Sequence, residues 1–181
     1  MRVIAGSLKG RRLKAPDWNG LRPTSDKLRE TLFNVLAPRV NGARVLDAYA
    51  GTGALGIEAM SRGAAAVTFV DSDRRAQALI AENLARCGLT NGCVIIRAAI
   101  ARAIGDLRNA QSSFDLILFD PPYDEVVDAV VEAAGELLAK DGLLVLEHAR
   151  RQPAAVSAGR LARVRQIVSG DSALSFYSCL P

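Results

Sequence analysis

Histidine is almost missing from this chain: His148 is the only one in 181 residues, and the three cysteines, Cys87, Cys93 and Cys179, form no Cys-x-x-Cys pair. That set cannot assemble a zinc site of the usual Cys/His kind. No metal is expected, and the thiols read as buried free cysteines of a cytosolic chain. No run reaches the roughly 18 apolar residues that a transmembrane helix needs. The opening stretch MRVIAGSLKGRRLK has no long apolar core, so it does not read as a secretory signal. Internal repeats and low-complexity segments are also missing. These absences set the expectation of a cytoplasmic monomer that makes no use of a membrane.

What is present is apolar and unevenly charged. Half of the residues are hydrophobic, enough for one substantial core in a chain of this length. The net charge is +4, but residues 1–44 carry ten Lys/Arg against three acids, while the remainder is slightly acidic with 13 basic and 16 acidic groups. Lys9, Arg11, Arg12 and Lys14 fall within six residues. A basic segment on a nearly neutral body points to a polyanion such as nucleic acid, the bland alternative being a solvated surface.

From Arg44 onward, short apolar runs alternate with helical patterns. The runs occupy 43–48, 65–71, 93–97, 114–120, 142–148, 163–168 and 173–180; helical patterns fill Gly53–Arg62, Arg74–Cys87, about 100–109 and about 125–139. Continuous apolar strands separated by helices predict an α/β fold with a parallel sheet covered on both faces. Only Ser169–Ser172 separate the last two runs, too few residues for a crossover helix, so these two should be antiparallel. Before this region, residues 1–16 read as a small hairpin or extended arm, and a helix is expected from about Ser25 to Leu36, ended by Pro38. The expected division is an N-terminal basic arm and helix over 1–40 and a catalytic domain over 41–181.

DAYAGTGALG (47–56) contains Gly51, Gly53 and Gly56 in a GxGxxG pattern, after a strand and at the start of a helix, with Asp71 ending the next strand. Three owners compete: a dinucleotide fingerprint, an S-adenosylmethionine loop, and a tight turn with no ligand. In the dinucleotide pattern the first glycine follows the apolar strand almost at once. Here Asp47 ends the strand and Ala48, Tyr49 and Ala50 intervene before Gly51, a spacing that suits a compact zwitterion. On this reading Asp47, Tyr49, Ala50, Gly51, Thr52 and Gly53 surround the amino acid part of S-adenosylmethionine, with Asp47 near the cationic amino group. Asp71 and Ser72 lie at the ribose, and Ala99 and Asp120 complete the cofactor set. The third strand is followed by Arg97-Ala98-Ala99, with no acid to meet an adenine amino group, so adenine is expected to rest on backbone N–H groups and apolar contact.

FDLILFDPPY (114–123) ends an apolar run with Asp120, Pro121, Pro122 and Tyr123. As the fourth strand of a doubly wound sheet it should emerge beside the glycine loop, where such folds bind ligands. Two prolines fix two φ angles. The Asp120 carboxylate and the Pro121 carbonyl can each accept an N–H of a planar exocyclic amine, and Tyr123 can stack on its ring. The alternative is a plain Pro-Pro turn.

These stretches carry a resemblance. DAYAGTGALG, VDSD and DPPY resemble the class I S-adenosylmethionine-dependent methyltransferases with an [DN]PP[YFW] motif. RVIAGSLKGRRL, LRPTSDKLRETLFN and GDSALSFY narrow this, resembling the bacterial family that methylates guanine N2 in 16S ribosomal RNA. The resemblance implies a Rossmann-like seven-stranded sheet, order 3-2-1-4-5-7-6, with strand 7 antiparallel. It implies S-adenosylmethionine as cofactor and Asp120, Pro121, Pro122 and Tyr123 at the target guanine. It also implies contact of the basic segment (Lys9, Arg11, Arg12, Lys14, Arg22) with 16S ribosomal RNA in a small subunit or an assembly intermediate. Arg22 and Thr24 stand either near the cofactor or substrate entrance or in packing of the N-terminal helix, and His148 reads as a capped or solvent-facing residue. Adenine N6 in DNA and a protein glutamine amide are sibling targets. A nicotinamide-dependent oxidoreductase is a more distant reading, without an evident catalytic Lys/Tyr or His/Asp set.

Overall fold

The computed structural model describes residues 1–18, 25–122 and 127–180. Five helices and eight strands follow one another as α1 (Asp26–Val40), β1 (Arg44–Ala48), α2 (Ala54–Ser61), β2 (Ala66–Asp71), α3 (Arg74–Cys87), β3 (Cys93–Arg97), α4 (Ile100–Asn109), β4 (Phe114–Phe119), α5 (Asp128–Gly135), β5 (Leu138–Ala149), β6 (Ser157–Ala158), β7 (Leu161–Ser169) and β8 (Ser172–Cys179). The strands form one sheet in the order β3-β2-β1-β4-β5-β8-β7-β6. Pairing is parallel from β3 to β5. It is antiparallel from β5 onward. This is the expected Rossmann-like class I methyltransferase order, with one correction: the two-residue β6 makes an eighth strand at the edge beyond β7.

The central strands bury every second residue on each face. Val45, Leu116, Leu118, Val145, Leu174 and Phe176 join the core beneath α1, α2 and α3. Leu46, Ile117, Phe119, Leu144, Leu146 and Tyr177 point the other way, into the core with α4 and α5. Alternation between two apolar cores explains why these strands read as unbroken hydrophobic runs rather than as half-polar ones. Each fully buried aliphatic or aromatic side chain contributes about 1.5–3 kcal/mol.

Helix α1 begins where Ser25 Oγ accepts the Leu28 N–H at 3.2 Å. It does not stop at Pro38. It runs one residue pair further, to Val40, with Pro38 exposed inside the last turn. Proline forfeits one intrahelical hydrogen bond, which burial of Val40 against the core offsets. At the other end of the chain's helical series, the expected helix over 125–139 is shorter: α5 closes at Gly135 and Leu138 already pairs with Phe114 at the start of β5. The register shift between Phe114 and Leu116 absorbs the extra residues on β5.

The N-terminal segment is a hairpin, as expected. Arg2 and Arg12 bridge antiparallel, and Val3 N–H donates to the Arg11 carbonyl at 2.9 Å. Val3 and Leu13 enter the same core as α1, α2 and α3. Polar side chains on those helices hold its backbone. The buried Glu58 carboxylate accepts the N–H groups of Ile4 at 2.7 Å and Ala5 at 3.0 Å, and pairs with Arg62. Ser61 Oγ accepts the Leu8 N–H. The fully buried Arg29 donates to the Arg2 carbonyl and to Asp26. Burial lowers the Arg29 guanidinium from its ordinary value, with Asp26 and Glu58 opposing.

Gly6 shows how close this contact is. It has φ +83°, and a Cβ built there would stand 1.8 Å from the Ser61 carbonyl oxygen. The left-handed backbone alone makes Gly6→Ala cost roughly 1–3 kcal/mol. Urea denaturation of the variant should show a correspondingly lower stability; a midpoint equal to the parent's would mean that the hairpin does not seat on α2 in this way.

Candidate active site

Parallel register brings a tyrosine and two acids to one end of the sheet. Ala48 pairs with Val70 on β2 and with Phe119 on β4. One residue further along each chain come Tyr49, Asp71 and Asp120, at the carboxyl ends of adjacent strands spaced about 4.8 Å apart. The expected cofactor and catalytic residues at the ends of the first, second and fourth strands therefore share one rim. Among the described residues no group of His, Cys, Asp and Glu is arranged to hold a metal ion.

The loop after β1 is built from left-handed turns. Tyr49, Gly51 and Gly53 have φ of 61°, 54° and 75°. For tyrosine this conformation is uncommon and costs of order 1–3 kcal/mol. Its ring meets Phe119 edge-on, centroids 5.8 Å apart, which ties the loop to β4. Ala50 N–H donates to the Val70 carbonyl at 2.9 Å. Gly53 caps α2 without any side-chain hydrogen bond. One turn on, a Cβ at Gly56 would meet the Phe69 ring at 2.2 Å, so this glycine lets the helix lie close on the sheet.

Asp71 does more than the sequence reading assigned to it. Its Oδ2 accepts the Gly51 N–H and its Oδ1 the Asp73 N–H, both at 2.8 Å. It therefore braces the glycine loop from β2. Each oxygen keeps a second lone pair for a ribose hydroxyl. Ser72 beside it is exposed.

Asp47 is the least ordinary group of the site. It is 1% exposed. Oδ2 accepts the Gly56 N–H at 2.8 Å, while Oδ1 is buried with no hydrogen-bond partner. Burial pushes its carboxyl well above the usual carboxylate range; the Gly56 N–H opposes this, and the negative Asp120 and Asp71 add to it. An unpartnered buried carboxylate oxygen beside a left-handed loop fits a ligand that brings a cation, as the ammonium and sulfonium of S-adenosylmethionine do. The residues present thus fit that cofactor.

The remaining expected residues lie as follows. Asp120 is half-buried, Pro121 buried and Pro122 exposed, directly after β4. Tyr123, Arg22 and Thr24 lie outside the described residues. Ala99 caps α4 without a side-chain hydrogen bond, so the first N–H groups of that helix have no side-chain acceptor from the cap. Lys9, Arg11 and Arg12 are exposed and form no ion pair among the described residues. Lys14 differs, since its ammonium pairs with Glu82 at 2.7 Å. His148 is not solvent-facing: it is buried, with Nε2 at 2.9 Å from Ser175 Oγ and Nδ1 at 2.9 Å from the Gln152 carbonyl. Cys87 is buried, and Cys93 and Cys179 are half-buried free thiols.

The sequence reading missed Asn83. This fully buried side chain on α3 contacts both the hairpin and the carbonyl of Thr52 in the glycine loop. Its signal was present: Asn83 is the polar member of the buried stripe Ala76, Leu79, Ile80, Leu84 and Cys87.

A doubly wound sheet in this strand order, with a left-handed loop after β1, an acid ending β2 and Asp-Pro-Pro ending β4, defines a class I methyltransferase. Within that class the chain belongs to the family described as Conserved hypothetical protein 95, whose model matches residues 1–178. Among its relatives, YlbH of Bacillus subtilis, provisionally named an rRNA methyltransferase, is 38% identical over 180 residues and 98% of each chain. Ribosomal RNA small subunit methyltransferase D of Escherichia coli is 39% identical over 147 residues, 81% of this chain and 71% of that one. A solved structure of yhhF from Escherichia coli, provisionally named a methyltransferase, superposes with a TM-score of 0.85 at 32% identity, covering 99% and 97% of the two chains.

Asp47 supplies a test with an opposite sign for folding and for binding. A carboxyl whose folded pKa lies above its unfolded value, about 3.9, makes stability fall as pH rises between the two values and stay lowered above them. Asp47→Asn can still accept the Gly56 N–H but cannot ionise, and its amide would face an arriving ammonium. The variant should be at least as stable as the parent at neutral pH and lack that part of the pH dependence. Its affinity for S-adenosylmethionine should drop roughly tenfold or more, the loss expected for hydrogen bonds to a charged group. Melting temperature against pH, together with calorimetry, reads both; unchanged affinity removes Asp47 from the cofactor site.

Proposed function

We propose that this protein transfers a methyl group from S-adenosylmethionine to the exocyclic N2 of a guanine in small-subunit ribosomal RNA. The observation that carries the reading is the placement of Asp120 and Pro121 at the carboxyl end of β4, one strand from the glycine loop of β1. Similarity to relatives named for ribosomal RNA methylation supports the substrate class. We place the reaction in the cytoplasm, on a small subunit or an assembly intermediate, with the basic hairpin against RNA.

When bound, S-adenosylmethionine supplies an electrophilic methyl group and leaves as a neutral thioether. The chain's residues divide the remaining work. Asp47 receives the amino group, the loop from Tyr49 to Gly53 cradles the amino acid part, Asp71 holds the ribose hydroxyls, and the uncapped start of α4 offers backbone N–H groups to adenine. The guanine amine is a poor nucleophile because its lone pair is delocalised into the ring. Asp120 and the Pro121 carbonyl each accept one of its N–H bonds. This favours a pyramidal nitrogen whose lone pair points away from both acceptors, and the proton that the methylated nitrogen sheds passes along its hydrogen bond to the Asp120 carboxylate and on to solvent. Alignment of two bound reactants supplies up to roughly 7–11 kcal/mol, and fixed polar acceptors about 10²–10³ in rate. Tyr123 stacks on the base. A guanine in folded RNA must be exposed or extruded to reach such a site, and the RNA phosphates are then held elsewhere on the protein.

Two experiments test this. Asp120→Ala should nearly abolish methylation of subunits that lack the modification, with calorimetric affinity for S-adenosylmethionine little changed. Tyr123→Phe should keep most activity and Tyr123→Ala lose it; equal damage from both would remove the stacking role. Separately, replacing Lys9, Arg11 and Arg12 together with alanine should lower RNA affinity and flatten its salt dependence, each lost phosphate contact reducing the slope by roughly 0.7 for single strands. A slope identical to the parent's would take the hairpin out of the RNA site.

A further inference from the structure

Asn83 binds two parts of the molecule that the reaction uses separately. Its Oδ1 accepts the Lys14 N–H at 2.7 Å, and its Nδ2 donates to the Lys14 carbonyl at 3.2 Å and to the Thr52 carbonyl at 2.9 Å. The side-chain amide thus pairs with the Lys14 backbone as a neighbouring peptide unit would, and it spends its other proton on the glycine loop. The bonding pattern fixes the amide's orientation, since a flipped amide would set N–H against N–H and oxygen against two carbonyls. Asn83 is 0% exposed and Thr52 is 4% exposed, so no water can replace a lost partner cheaply.

Other contacts reinforce the same junction. Met1 Sδ lies 3.9 Å from Thr52 Oγ1, so the first residue of the hairpin also touches the loop. Lys14 is further pinned to α3 through Glu82. Beyond this fixed end the exposed cations Lys9, Arg11 and Arg12 continue along the same hairpin. A change in the position of Thr52 on cofactor binding therefore reaches the Lys14 backbone through one rigid side chain, with no intervening loop.

We propose that Asn83 is a positioning residue that joins the glycine loop and the N-terminal hairpin into one cooperative unit, so that filling the loop orders the hairpin and strengthens its hold on RNA. By reciprocity, RNA on the hairpin strengthens cofactor binding by the same factor. The link between loop and hairpin stands on the hydrogen bonds alone; its response to the cofactor rests on the glycine loop as the cofactor site, and the RNA consequence on the functional reading given above.

Hydrogen exchange with S-adenosylhomocysteine, which carries no methyl to transfer, tests the ordering directly. In the parent, saturating ligand should slow exchange of the Lys14, Val3 and Gly10 amides by roughly fivefold or more, the range of ordinary allosteric coupling. In Asn83→Ala, at ligand concentrations raised to saturation, that ratio should fall to about one. A merely structural Asn83 would raise exchange equally with and without ligand and leave the ratio at the parent value, which would overturn the proposal, as would hairpin exchange in the parent that ignores the ligand. Should Asn83→Ala not fold, Asn83→Asp is read the same way, because it keeps the acceptor for Lys14 N–H but has no donor for Thr52. The second measurement is S-adenosylhomocysteine affinity with and without methylation-deficient small subunits: tightening of roughly fivefold in the parent and under about twofold in the variant supports the coupling. Subunits that do not bind the parent at all overturn the functional reading and the RNA consequence, while the exchange ratios still judge Asn83.

Discussion

Parallel pairing of β1 with both β2 and β4 is the constraint from which the rest of the site follows. Once Ala48 stands beside Val70 and Phe119, the next residue on each chain is committed to the same rim. The three strands need no common loop to bring Tyr49, Asp71 and Asp120 together. Each crossover helix returns the chain to the far end of the sheet, so every strand ends on the same side. The apolar cores on both faces hold that register in place, because a shift of one residue would exchange the side chains of the two cores.

The hairpin is attached by a different logic. Its apolar contribution to the core is small, chiefly Val3 and Leu13. Most of its fixation comes from buried polar side chains of α1, α2 and α3 that meet its backbone: Arg29, Glu58, Ser61 and Asn83. Such groups are costly to bury alone and become tolerable only when partnered. Without the hairpin, Glu58 would lose two N–H donors, and Asn83 one donor and one acceptor, on a helical face shaped for a peptide backbone. A segment with little core of its own is thereby held against the helices, and α1 shares its core with β1 and β4.

Much of this was legible in the sequence, and the reasons differ by element. The parallel sheet followed from alternating apolar runs, and its antiparallel end from the four residues between the last two, which the Ser169–Ser172 pairing reproduces, whereas the strand order was implied by the family resemblance. Helices α3 and α4 kept their expected limits because Asp73 and Gly88 cap the one and an apolar stripe defines the other. Pro38 misled because a local rule yielded to burial of Val40, and α5 was read too long because Leu138 carries no mark that separates a helix end from a strand start. The edge strand β6 has two residues and no periodicity to read. The brace from Asp71 to Gly51 and the triple role of Asn83 were hidden for another reason: both join residues 20 or more positions apart through backbone groups, which leave no trace in side-chain pattern.

Charge is divided across the molecule in a way that suits two ligands of opposite sign. Three carboxylates at the rim, one of them buried with an unpartnered oxygen, form a place where a cation is welcome and a phosphate is not. The hairpin, packed through Val3 and Leu13 on the core of α1, α2 and α3, carries the exposed cations Lys9, Arg11 and Arg12. On the proposed reaction, a polyanion can therefore be held by the hairpin while only an uncharged base approaches Asp120. On the proposed reaction the same acids would also distinguish donor from product. S-adenosylmethionine presents a sulfonium and an ammonium, whereas the thioether left after transfer keeps only the ammonium. On the proposed placement of the cofactor, attraction to Asp47, Asp71 and Asp120 would be strongest before the methyl group leaves and weaker afterwards, so the electrostatics that gather the donor would also favour release of the spent cofactor.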